Sequence, residues 1–64
     1  MCLATVYTEK DNVVSETALI DKVQFVDVYG DELSCTNLFG EVVKVQGAIS
    51  CVDLSNSTIT IKIN

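Results

Sequence analysis

Thr58-Ile59-Thr60-Ile61-Lys62-Ile63 alternates polar and apolar residues, placing Ile59, Ile61 and Ile63 on one side of the chain and Thr58, Thr60 and Lys62 on the other. A period of two belongs to a strand with one buried face, and the β-branched content suits a pleated, half-buried surface. Working outward, Ser55-Asn56-Ser57 reads as a turn, Ala48 to Leu54 as a strand, Gly47 as a bend and Val42 to Gln46 as another strand. Phe39-Gly40-Glu41 forms the next turn, with Leu33-Ser34-Cys35-Thr36-Asn37-Leu38 the strand before it. Gly30-Asp31 is the kind of pair that closes a two-residue hairpin back onto Val23–Tyr29. The apolar alternation of that strand slips between Phe25 and Val26, which predicts a β-bulge.

Toward the N-terminus, Leu19-Ile20-Asp21-Lys22 reads equally as a strand end or a single helical turn. Val13–Ala18 is a short strand, Glu9-Lys10-Asp11-Asn12 is turn chemistry, and Leu3–Thr8 is the first strand. The expected fold is all-β: a small curled antiparallel sheet or barrel of six to seven short strands, each pairing with its sequence neighbour, in one domain spanning residues 1–64. Its expected core is Val6, Val14, Leu19, Val23, Phe25, Val28, Leu33, Leu38, Val43, Val45, Ile49, Val52, Leu54, Ile59 and Ile61. Edge strands in so small a sheet invite pairing, and a symmetric dimer is one way to cover them.

Sixty-four residues bury a smaller fraction of their unfolded surface than a typical domain does, so cysteines, metals and oligomerisation all matter as sources of stability. Three cysteines is an odd number, and no apolar leader precedes the first strand. Both features point to a reducing cytoplasm rather than a disulfide scaffold. No apolar run approaches the roughly 20 residues of a membrane span. Nine acidic residues stand against four lysines, with a net charge of −5 and no histidine. Phosphate recognition needs clustered basic residues, and Lys10, Lys22, Lys44 and Lys62 are scattered, so nucleic acid is a disfavoured partner.

The lack of histidine removes the usual general base and the common zinc-enzyme ligand sets from a single chain, so no enzymatic activity is expected. Asp11, Asp31, Glu32 and Glu41 fall in turns, Asp27 and Asp53 on the wet face of strands, and none has calcium-loop spacing. Cys35 and Cys51 lie in apolar surroundings inside strands, where an unpaired cysteine acts as a small hydrophobe.

Cys2 is the candidate metal ligand. Behind Met1, its thiol lies within reach of its own amide nitrogen and of the terminal amine, and sulfur with nitrogen suits nickel, copper or zinc over calcium or magnesium. The competing readings are a buried thiol filling space beneath the sheet, or a nucleophile exposed by removal of Met1. If Cys2 sits near a two-fold axis, two thiolates and backbone amide nitrogens offer a planar set that Ni(II) tolerates and zinc does not favour.

The opening Met1-Cys2-Leu3-Ala4-Thr5-Val6-Tyr7, the Leu38-Phe39-Gly40-Glu41 turn, and Gly47-Ala48-Ile49 leading into Val52-Asp53-Leu54 resemble the CooT family of small nickel-binding proteins, in the same order along the whole chain. The resemblance implies an all-β homodimer that binds Ni(II) at the subunit interface through the cysteine after the initiator methionine, here Cys2. It also implies an accessory role for a nickel enzyme, carbon monoxide dehydrogenase, as acceptor. The family has been described as RNA-binding too, which fits poorly with this acidic chain. A different reading is a metal-free β module for RNA or protein, with Lys10, Lys22, Lys44, Tyr7 and Tyr29 as contacts.

Overall fold

The computed structural model describes residues 2–64, which form strands β1 (Ala4–Lys10), β2 (Val13–Val14), β3 (Ile20–Tyr29), β4 (Glu32–Asn37), β5 (Val42–Gln46), β6 (Ala48–Asp53) and β7 (Thr58–Lys62). No helix is present among the described residues, so none is long and apolar enough to cross a membrane. The strands make one sheet in the order β5-β4-β3-β1-β7-β6, with β2 paired to β1. The all-β expectation holds.

Turn chemistry sets the local connections. Asp11 and Asn12, at φ 53° and 65°, form the two-residue reversal between Lys10 and its partner Val13. Both central residues of a type I′ turn need positive φ, and Asp and Asn tolerate it best after glycine. Gly30, at φ 60°, closes the predicted β3–β4 hairpin, where Tyr29 faces Glu32. The stretch from Leu19 to Lys22 is no helical turn: Leu19 is a bend and strand begins at Ile20, which pairs with Val6, while Lys22 sits at φ 54° in a bulge and its amide donates to Asp21 Oδ1 at 2.8 Å.

The sheet is mixed, not purely antiparallel. Thr5 to Glu9 of β1 run parallel to Thr58 to Lys62 of β7, so the first and last long strands lie side by side. This corrects the expected meander of sequence neighbours: β1 separates β3 from β7, and β5 and β6 lie at opposite ends of the strand order. Among the described residues the sheet is not closed into a barrel. Three irregularities in register bend it, at the Asp21-Lys22 bulge, between Val23 and Phe25, and between Ile49 and Cys51. An extra residue on one strand of a pair increases local twist and curls the sheet. Gly47 turns the corner from β5 to β6: its amide donates to Asp31 O at 2.9 Å, and a Cβ there would strike the Lys62 carbonyl oxygen.

The core is Val6, Ile20, Val23, Leu33, Cys35 and Ile61, with Leu19, Val26, Val43, Val45, Ile59 and Ile63 packed against it. Of the expected core, Phe25, Val28, Leu38, Val52 and Val14 are exposed instead, as are Ile49 at 39 % and Leu54 at 85 %. The bulge at Gln24 explains Phe25. Val23 pairs with Asn37 and Phe25 with Thr36, so the chain slips one residue and Val26, opposite buried Cys35, turns inward in place of Phe25. Val14 belongs to a two-residue strand outside the main path, and Leu38 to a turn. Val52 and Ile49 pair with Ile59 and Ile61 but stand on the edge strand β6, which has a neighbour on one side only.

Candidate metal centre

Cys2 precedes the first residue of β1 by two positions and its thiol is exposed. It is not a buried space-filler. The segment that carries it is held just downstream by both neighbours of β1: Ala4 pairs with Val23 of β3, and the Thr5 amide donates to Ser57 O at 3.0 Å beside the β7 ladder. Cys2 therefore sits two residues before a strand that is anchored on both sides.

The thiol lines a cavity of about 430 Å³ whose walls are mostly apolar, including Leu3, Val26, Val52, Leu54 and Ile59. The cavity exists because the sheet is open. Beyond Val23, β3 keeps its pairing with β4 but has left β1, and β6 pairs with β7 alone, so inner-face residues from both regions are uncovered. Its far rim is the turn after β6, where Asp53 Oδ1 accepts the Asn56 amide at 3.1 Å and Oδ2 accepts from Asn56 Nδ2 at 2.9 Å. These bonds from the Asn56 side chain and backbone hold the Asp53 carboxyl below its ordinary range. Leu54 projects beside them. Sequence reasoning placed Val52 and Leu54 in the core and so missed this wall; the signal was Leu54 abutting the Ser55-Asn56-Ser57 turn, where a buried side chain is hard to arrange.

Cys2, Cys35 and Cys51 are all free thiols. Cys35 is a core residue as expected, paired in register with Val26 and Val43, and burial pushes its thiol up from the ordinary value. Cys51 departs from expectation: it pairs with Thr60 on the outer face of edge strand β6 and is exposed. Among the described residues no three His, Cys, Asp or Glu side chains converge on a point that could hold a metal ion. The terminal amine expected to join the ligand set belongs to Met1, outside the described residues.

The lysines do not form one patch in the strand order: Lys10 ends β1, Lys22 sits in the β3 bulge, Lys44 is on β5 and Lys62 on β7. Lys22 is ion-paired with Asp21 at 3.6 Å, and Lys62 stands in register with Glu9. Tyr29 is exposed and Tyr7 half-buried.

A protein family described as "CO dehydrogenase accessory protein CooT" matches residues 1–62. The chain belongs to the CooT family. The fold agrees with a solved structure described as "Crystal structure of putative CooT from Carboxydothermus hydrogenoformans", with a TM-score of 0.85, 16 % sequence identity and 98 % of each chain covered. At that identity the agreement shows the fold alone. No curated protein matches the sequence. The CooT family match spans both Cys2 and the Leu38-Phe39-Gly40-Glu41 turn.

Proposed function

We infer that this CooT-family protein is a nickel carrier that binds Ni(II) through Cys2 where two copies meet and passes it to a nickel enzyme such as carbon monoxide dehydrogenase. The observation that carries the reading is the exposed Cys2 thiol at the mouth of an apolar cavity, in a chain that belongs to a CO dehydrogenase accessory family. Nickel is cargo here, and no catalytic step is assigned to the chain.

The donor chemistry supports a shared site. One chain contributes a single thiolate at this place, and the described residues supply no side-chain cluster to complete a ligand set. The reading draws on the Cys2 amide nitrogen and the Cys2 of a second copy, and sulfur with deprotonated nitrogen is a set that Ni(II) accepts. The apolar walls give the second copy a surface to bury, and an isologous contact needs one self-complementary patch. Leu54 stands proud beside the cavity on the same rim, which provides both a projection and a hollow.

Ligands of this kind bind metal only when deprotonated, so affinity falls as pH falls, and protonation or exchange onto an acceptor releases the ion. The test is titration of Ni(II) into the reduced protein and into Cys2→Ala, following thiolate-to-nickel absorption and mass together. A band that depends on Cys2 and saturates at about one nickel per two chains is expected from this ligand set. Cys2→Ala binding nickel as tightly as the parent would refute the reading.

A further inference from the structure

The turn between β4 and β5 is built more firmly than a connection between two short strands requires. Asn37, only 4 % exposed, uses both ends of its amide inside it. Its Oδ1 accepts the amides of Phe39 at 3.1 Å and Glu41 at 2.9 Å, while Nδ2 donates to Glu41 Oε1 at 2.6 Å. Gly40 takes φ +81°, and its amide donates to Asn37 O at 3.1 Å. The Leu38 amide donates to Lys22 O at 2.8 Å, fastening the turn to the β3 bulge.

This rigid frame holds apolar side chains out in solvent. Phe39 is 70 % exposed, and Leu38 beside it is exposed too. By register Phe25, Thr36 and Val42 lie side by side across β3, β4 and β5 at the foot of the turn, with Phe25 and Val42 both exposed. Next to Phe39 is a cavity of about 260 Å³, room for one apolar side chain, lined also by Leu19, Ile20 and Val43. An aromatic residue whose backbone is already fixed has only its side-chain rotamer to lose on binding, and clustered exposed apolar residues mark contact surfaces.

We propose that the Leu38-Phe39-Gly40-Glu41 turn is the docking tip for the acceptor protein, with Phe39 as its anchor. The proposal rests on the carrier reading above and adds to it a second surface, separate from Cys2. Charge selects the occupant. The same cavity is rimmed by the Asp21–Lys22 ion pair and by the Glu41 carboxylate, which leaves Glu41 as the net charge of the rim, in a chain of net charge −5. At this turn a second copy would set its own Glu41 carboxylate against the first. The complementary surface is that of a different protein, one with an apolar side chain beside a lysine or arginine.

The experiment measures binding of nickel-free carbon monoxide dehydrogenase to the nickel-free carrier, comparing the parent, Phe39→Ser, Glu41→Gln and Cys2→Ala. Phe39→Ser is expected to keep the parent's mass, melting and nickel band and to lose at least about tenfold in affinity for the enzyme, as an aromatic anchor does. Glu41→Gln, which keeps an acceptor for Asn37, is expected to lose about two- to fivefold and much of the salt dependence. Cys2→Ala is expected to bind the enzyme like the parent. Phe39→Ser binding as the parent does, or no binding by the parent at all, overturns the proposal. So does a fall of Phe39→Ser to half the parent's mass, which would assign the turn to the contact between copies. The carrier reading fails separately, through nickel retained by Cys2→Ala.

Discussion

Replacing Asn37 with alanine should cost about 2–3 kcal/mol of folding stability, the sum of two orphaned backbone donors and one lost side-chain bond at roughly 1 kcal/mol each. The donors are the amides of Phe39 and Glu41, and the third bond runs from Asn37 Nδ2 to Glu41 Oε1. Asn37 is nearly buried while Leu38 to Glu41 are exposed, so water replaces part of what the two amides lose, and each bond is counted at roughly 1 kcal/mol rather than at the full cost of a buried orphan. For a domain of this size a loss of 1 kcal/mol lowers Tm by about 4–8 °C, so a fall of roughly 10–20 °C is expected by circular dichroism. Hydrogen exchange should show the Phe39 and Glu41 amides losing protection while the β1–β7 ladder keeps its own. Asn37→Asp separates geometry from charge: it retains both amide acceptors but sets a carboxylate against Glu41. Two carboxylates at that spacing hold a proton between them, so the combined carboxyl affinity is raised in the fold and the deficit should shrink as pH falls toward 4. A Tm change under about 4 °C for Asn37→Ala, with both amides still protected, would refute the account of the turn.

Gly47→Ala forces a Cβ onto the Lys62 carbonyl oxygen, a backbone atom that cannot swing aside, and should destabilise by about 1–3 kcal/mol in urea unfolding; a neutral result would show that the β5–β6 corner shifts freely. In a thiol-reagent assay on the metal-free native protein, Cys2 and Cys51 should react quickly and Cys35 only on unfolding, since Cys35 is buried with its thiol pushed up; fast reaction at Cys35 would contradict the core assignment. Asp21 is held below the ordinary carboxyl range, first by the Thr5 hydroxyl at 2.9 Å and then by the Lys22 amide. Its folded affinity for protons is lower than its unfolded one, so its contribution to stability is present above the unfolded value, near pH 4, and is lost as pH falls through the folded one. Thr5→Val should raise the Asp21 midpoint in an NMR titration and flatten that acid limb; an unmoved midpoint would count against the hydroxyl as the main cause.

The strands whose signals are local were readable from sequence. Ile61 is fully buried with Ile59 and Ile63 packed beside the core, as the alternation from Thr58 to Ile63 requires, and the Gly30-Asp31 hairpin closes where the glycine demands. A bulge in β3 was legible as a break in alternation, but its place was not: the extra residue is Gln24, one position before Phe25, and that single step decides which of Phe25 and Val26 faces inward. The parallel β1–β7 pairing left no local trace, because its partners lie at the two ends of the chain and each strand reads the same whichever way its neighbour runs. Leu54, Val52 and Ile49 looked like core because hydrophobicity reports a preference for burial, not whether a sheet has closed over the residue. Cys2 stood out as the candidate ligand by residue type and place; the apolar hollow beside it depends on the tertiary arrangement and could not be read in advance.

The parallel ladder also governs when a binding-competent chain exists. Residues 5–9 find one of their two long neighbours only after residues 58–62 have been made, so during synthesis the thiol-bearing segment waits for more than fifty further residues. Contacts between chain ends are the slowest to form, because loop closure must precede any gain from pairing. A chain without β7 would carry the cysteine on a strand held by β3 alone, whereas the fold with β7 in place clamps that strand from both sides. On the carrier reading proposed above, an organised nickel site therefore waits on β7, and chains that lack residues 58–62 would compete poorly for the metal.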